Sequence, residues 1–195
     1  MHALAVSAVV VALASCSSDP SGGWTPEPQA VSSQQLAQLL ESCPELQSED
    51  PEEITAGVRG ERALLAHGTP ELFRFCVLDG VGTGDVRNTG HGSGRSTGDM
   101  ATDEVRVLQW GANALGRDGY SMMMGVVGED VTGVEINVGA ALPERLEAPD
   151  TMTATVEHGR FLGWWPQGRA AGEDAFKVTL NLQLADGERV EQLEP

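Results

Sequence analysis

From residue 104 onward, polar and apolar positions alternate with the period of two that a half-buried strand requires. EVRVLQW (104–110) and YSMMMGVV (120–127) are candidate strands, and VTGVEINV (131–138) sets Val134, Ile136 and Val138 on one face against Glu135 and Asn137 on the other. TMTATVEHGRFLGWWP (151–166) predicts a hairpin. A two-residue His158-Gly159 turn pairs Glu157 with Arg160, Val156 with Phe161, Ala154 with Gly163 and Met152 with Trp165, so the apolar pairs share a face and the charged pair has opposite signs. FKVTLNLQLADGERVEQL (176–193) predicts a second: Phe176, Val178, Leu180, Leu182 and Leu184 alternate, and Ala185-Asp186-Gly187 suits a three-residue loop that sets Val190 opposite Leu182. Strands at this spacing with one greasy face imply a mainly β protein, an antiparallel sandwich. A single curved sheet backed by one N-terminal helix is the competing architecture.

That helix is announced by a change of period. Ser32 as N-cap with Gln35 three residues later makes a capping box, and Val31 and Leu36 occupy the positions of a hydrophobic staple. Leu36, Leu39, Leu40 and Cys43 then fall at i, i+3, i+4 and i+7 on one face, and Pro44 halts the helix. Cys43 therefore faces the core. Cys76 lies in ELFRFCVLD (71–79), an apolar run flanked by Gly and Pro that reads as a strand. A 43–76 disulfide is the favoured reading in an oxidising compartment. Two buried free thiols are the alternative, and a metal pair a weaker one, since neither CxxC spacing nor neighbouring histidines accompany the cysteines. Between Cys76 and the alternating region, residues 80–103 hold seven glycines and are expected to be a disordered loop.

The first 31 residues obey neither period. Ala3 to Ala14 is an uncharged, mostly apolar stretch, too short to span a bilayer but suited to the h-region of a signal peptide. It closes on Leu13-Ala14-Ser15-Cys16, which resembles a bacterial lipobox: residues 1–15 would be removed and Cys16 would carry a diacylglycerol. Lipid chains contribute about 0.8 kcal/mol per buried methylene and stable anchoring takes two, which a diacylated cysteine supplies. Residues 16–31, rich in Ser, Gly and Pro, then read as a flexible tether to a single domain spanning 32–195. The net charge of -17, with Lys177 the only lysine, disfavours phosphate backbones and anionic headgroups, so nucleic acid is excluded as a partner and the membrane is reached through the lipid alone.

A helix ending in Cys43, the step Val58-Arg59-Gly60 before an apolar run, Cys76 in a strand, and a hairpin ending in Phe161-Leu162-Gly163-Trp164-Trp165-Pro166 together resemble small extracytoplasmic lipoproteins of high-GC Gram-positive bacteria. The resemblance spans most of residues 36 to 193. It implies an exported β-rich domain with a 43–76 disulfide, and it carries over no catalytic residue.

Candidate chemistry is sparse. Gly94-Arg95-Ser96-Thr97-Gly98 matches GxSxG, with Asp150 and His158 following in hydrolase order, but a nucleophile elbow needs a buried strand before the serine and a helix after it. Met122-Met123-Met124 offers thioethers to a soft metal, although gap-filling in a core is the commoner use. His67, His91 and His158 are widely spaced and show no ligand pattern. Trp164 and Trp165 point to opposite faces of a regular strand; Trp165 belongs to the apolar face, and Trp164 either packs a second layer or is exposed for binding. Nothing in these spacings calls for a cofactor or a resident metal. The sequence thus reads as a lipid-anchored, non-catalytic binding or interaction module at the outer face of the cytoplasmic membrane, with a protein or cell-envelope partner. A small serine hydrolase using Ser96 and a metal-handling lipoprotein using Met122 and Met124 are the alternatives.

Overall fold

The computed structural model describes residues 23–69, 71–96, 98–113, 120–138, 150–166 and 178–192. The leader, Cys16, Phe176 and Lys177 lie outside the described residues. The mainly β reading holds: among the described residues, twelve strands form three antiparallel four-stranded sheets, and one α-helix precedes them.

The helix, α1 (Ser33–Glu41), starts where its capping signals place it. Ser32 Oγ accepts from the Gln35 backbone N–H at 3.2 Å, satisfying one of the orphan amides of the first turn. It stops two residues short of Cys43, and Pro44 opens a 3-10 turn over Pro44–Leu46.

The first sheet is a meander of β1 (Thr55–Arg59), β2 (Arg62–Thr69), β3 (Leu72–Asp79) and β4 (Arg87–Gly94). Gly60 and Glu61 turn β1 into β2, with Gly60 at φ +60°, the left-handed conformation that two-residue hairpin turns demand. Strand β4 corrects the expectation that 80–103 is disordered. Its inward positions Gly90, Gly92 and Gly94 stand opposite Val77, Phe75 and Phe73 of β3. A Cβ on Gly92 would sit 2.8 Å from the Phe75 ring, so the neighbouring rings fill the space that side chains on β4 would otherwise occupy. The alternation is intact, but its apolar half is supplied by β3.

The second sheet runs β5 (Val105–Asn113), β6 (Tyr120–Val127), β10 (Arg160–Pro166) and β9 (Thr155–Glu157). The third runs β12 (Arg189–Gln192), β11 (Thr179–Leu184), β7 (Val131–Asn137) and β8 (Thr151–Thr153). The expected His158-Gly159 turn is present with both φ positive (52° and 70°), and Glu157–Arg160 and Val156–Phe161 pair as the pattern requires. Beyond Thr155 the expected register fails. At Ala154 the chain leaves β10 and crosses to the third sheet, where Met152 pairs with Ile136 instead of Trp165. Met152 still approaches the same strand, because its methyl would lie 3.3 Å from a Cβ built on Gly163, but it does so from the opposing sheet. The second expected hairpin is found, with Leu182 opposite Val190 and Gly187 at φ +88°.

The middle sheet is covered on both faces, which is why every residue of β10 is buried. Leu162 faces β1, where Gly57 leaves room for it, and Gly163 faces Ile136 of β7. Trp165 fills the core at 0% exposed. On the outer face of the first sheet a smaller core gathers Leu39, Leu40, Leu46, Val58, Leu65 and Leu78 beneath α1. The Cys43–Cys76 disulfide ties the helix exit to β3, with Cα atoms 6.0 Å apart.

Two buried arginines pin the layers together through backbone carbonyls. Arg160 donates to Thr55 Oγ1 at 3.0 Å, to Gly68 O at 2.6 Å and to Glu53 O, joining β10 to the first sheet. Arg59 donates to Thr25 O, Pro26 O and Thr153 O. Its burial pulls the guanidinium down to about 10, against an opposing pull from Glu27, so it remains a cation at neutral pH. These bonds correct the second expectation about the N-terminal region. From Trp24 onward the presumed tether is a strap: Trp24 is buried, donates from Nε1 to Trp164 O at 2.8 Å, and Gln29 bridges to Val58.

Candidate functional site

The binding role considered for Trp164 requires an exposed ring, and the structure places it inside. Its side chain is 3% exposed, turned toward the first sheet with Arg62 stacked 4.9 Å from its centroid. Arg62 also lies 3.9 Å from the Tyr120 ring and is held by Asp79, so the tryptophan belongs to the second packed layer. Ser96 follows β4 without a helix among residues 98–104, and its Oγ accepts from Arg106 Nη1 at 3.1 Å. His158 is an exposed turn residue. Met122 and Met124 face the first sheet opposite Trp164 and Leu162, and Met124 is fully buried.

Chemistry-bearing groups gather elsewhere, at the exit of α1. Pro44 sets the 3-10 turn that projects Glu45 across the disulfide. One Glu45 oxygen lies 3.2 Å from Cys76 Sγ and accepts from Asn88 Nδ2 at 3.3 Å, while the other is 3.3 Å from His91 Nδ1. His91 stands directly across from Cys76 in the β3–β4 ladder, so both side chains leave on the helix side of the sheet. Asn88 and His91 are three apart and would point to opposite faces of a regular strand. A bulge at Thr89, where the β3–β4 register slips between Val77 and Leu78, turns Asn88 to the same side. The Asn88 side chain then accepts from the Gly90 N–H at 3.0 Å, which fixes its orientation.

The result is an open cleft lined by Glu41, Ser42, Glu45, Val86, Asn88 and His91, beside the buried Cys43–Cys76 disulfide. The cysteines are fully buried, whereas the Glu45 and His91 side chains are 30% and 62% exposed, so the cleft brings solvent as far as Glu45, whose carboxylate lies 3.2 Å from Cys76 Sγ. An acidic rim with an imidazole at its edge suits cations and basic segments over anions. Among the described residues, Cys43, Glu45 and Cys76 form the only group of three or more His, Cys, Asp or Glu whose ligand atoms all lie within 4.8 Å of one another.

A second acidic cluster flanks His67, whose ring nitrogens lie 3.3 Å from Glu49 and 3.2 Å from Glu53. There the carboxylates sit on opposite edges of the ring, and Arg74 neutralises Glu49 at 2.9 Å. This arrangement ties β2 to the turn before β1 and leaves no shared coordination point.

No protein-family model, curated protein or solved structure matches this chain. Sequence reasoning did not single out Glu45, Asn88 or the pairing of His91 with Cys76. The one available signal was the cysteine pair itself, because whatever lies opposite Cys76 in the ladder becomes a neighbour of the bridge.

Proposed function

We propose that the protein is a lipid-anchored extracytoplasmic binding module, held by Cys16 and presenting the Glu45–His91 cleft to a cationic ligand or a basic segment of a cell-envelope partner. The observation that carries the anchoring is the sequence Leu13-Ala14-Ser15-Cys16 at the close of an uncharged apolar leader. A disulfide across the helix exit supports an oxidising compartment. The strap sharpens the reading, because the chain is latched to the domain from Trp24 onward. Only the residues from Cys16 to Gly23 then act as spacer, which fully extended reach about 28 Å. The domain would ride close to the bilayer with its acidic surface held off the headgroups.

Replacing Cys16 with Ser tests the anchoring. Cell fractionation should move the protein from the membrane to the soluble or secreted fraction, or accumulate a full-length precursor. Mass spectrometry of the wild-type N-terminus should find Cys16 carrying acyl chains. A mature chain starting at another residue without lipid would sink the reading.

A further inference from the structure

We infer that the disulfide covers a latent metal site: opened by reduction, Cys43 and Cys76 become thiolate ligands that, with Glu45 and His91, bind a borderline-soft divalent cation of the Zn²⁺ class. The inference rests on the cleft being the module's binding surface and is independent of the lipid anchor.

The donor set decides the class of ion. Two thiolates and an imidazole favour Zn²⁺ or Co²⁺ over Mg²⁺ or Ca²⁺, which take all-oxygen shells. Four ligands from three separate places meet here: Cys43 and Glu45 from the helix exit, Cys76 from β3, and His91 from β4. Three of the ligand atoms are already gathered, with Cys43, Glu45 and Cys76 within 4.8 Å of one another, and His91 Nδ1, 3.3 Å from Glu45 on an exposed ring, completes the set by turning inward. A tetrahedral ion with Zn–S near about 2.3 Å needs its two sulfurs about 3.7 Å apart, which the released thiols can reach from Cα atoms 6.0 Å apart. Asn88 donates to Glu45 and orients its carboxylate, the kind of outer contact that fixes a ligand before the metal arrives. The cleft brings solvent to Glu45 and the exposed His91 ring, the two ligands nearest the surface.

The redox step balances with a dithiol reductant. Its two thiols hand two electrons and two protons to the Cys43–Cys76 bond, which breaks into two thiols while the dithiol closes to its own disulfide. On binding, each protein thiol gives its proton to water as its sulfur bonds the ion, so uptake weakens as pH falls.

The test uses the full chain carrying Cys16→Ser, so that no third sulfur competes and a failure of anchoring leaves the outcome untouched. The disulfide is opened anaerobically with a phosphine, which takes oxygen from water, and Co²⁺ is titrated. A thiolate-to-cobalt charge-transfer band saturating at one ion per chain, displaced by Zn²⁺, is expected. Glu45→Gln and His91→Ala should each weaken Zn²⁺ binding by about tenfold or more, and Cys43→Ala with Cys76→Ala should abolish the band. Because the reduced chain could lose its helix-side core, thermal melts of the reduced protein with and without Zn²⁺ accompany the titration. Zn²⁺ should raise the midpoint of the reduced chain and leave the oxidised chain unchanged. No band together with no shift overturns the inference, as does a band indifferent to both Glu45→Gln and His91→Ala.

Discussion

The two hydrophobic cores of this molecule are built on different terms. The one between the sheets holds seven aromatic side chains, among them Phe73, Phe75, Trp164 and Trp165, and is closed by strands on either side. The one beneath α1 holds no aromatic ring among the described residues: leucines, valines, alanines and Ile54 fill it, and a disulfide crosses it. A nine-residue helix is too short to persist on its own propensity and offers only Leu39 and Leu40 as buried side chains. Where facing sheets supply area, packing suffices; where two and a half turns of covering helix cannot, a covalent link substitutes for it. The link sits beside the groups that would notice its absence.

Three experiments would break or sharpen that contrast. The largest effect is expected from Trp165→Ala, which empties the centre of the sandwich and should cost about 3–5 kcal/mol in urea denaturation. If the cores are separable, helix-side amides should retain some protection when this variant is partly unfolded. Next comes the pair Cys43→Ala with Cys76→Ala. Releasing a bridge across 33 residues should cost about 3.7 kcal/mol on the loop-closure account, strain aside. Hydrogen exchange should show α1 and the Pro44–Leu46 turn opening before β6 and β7; identical protection throughout would mean the two cores are one cooperative unit. The smallest is Ser32→Ala, which removes the bond to the Gln35 amide and should cost about 1 kcal/mol. Its effect should be confined to exchange rates in α1, and a loss shared equally by β10 would contradict the division.

How much of this was legible in the chain depended on whether each element carried its own pattern. The α1 start was readable because Ser32, Gln35, Val31 and Leu36 are all local. The turns at His158-Gly159 and Ala185–Gly187 were readable because positive φ has a compositional signature. Strand β4 was hidden because its inward residues are glycines and the hydrophobic half of its alternation belongs to Phe73 and Phe75 next door. The break at Ala154 was hidden for a different reason: Met152 keeps its inward direction whichever sheet it joins, so periodicity cannot tell hairpin from crossover. The strap was misread since Ser, Gly and Pro describe a loose segment well, and the arginine that captures its carbonyls, Arg59, lies in a strand of the first sheet. The cleft could not be read at all, for it exists only once a bulge rotates Asn88 and the ladder sets His91 across from Cys76.

The glycine comb of β4 has an outcome for how this chain can vary. Arg87, Thr89, His91 and Ser93 are exposed and free to change at little cost to folding, while Gly92 and Gly94 admit no Cβ without shifting the Phe75 ring or Leu108, and Gly90 has ordinary contact room beside Val77. A saturation library across this strand should therefore be least tolerant at positions 92 and 94, and ligand-tuning drift in the cleft falls on Asn88 and His91, which the bulge sets three apart on one side.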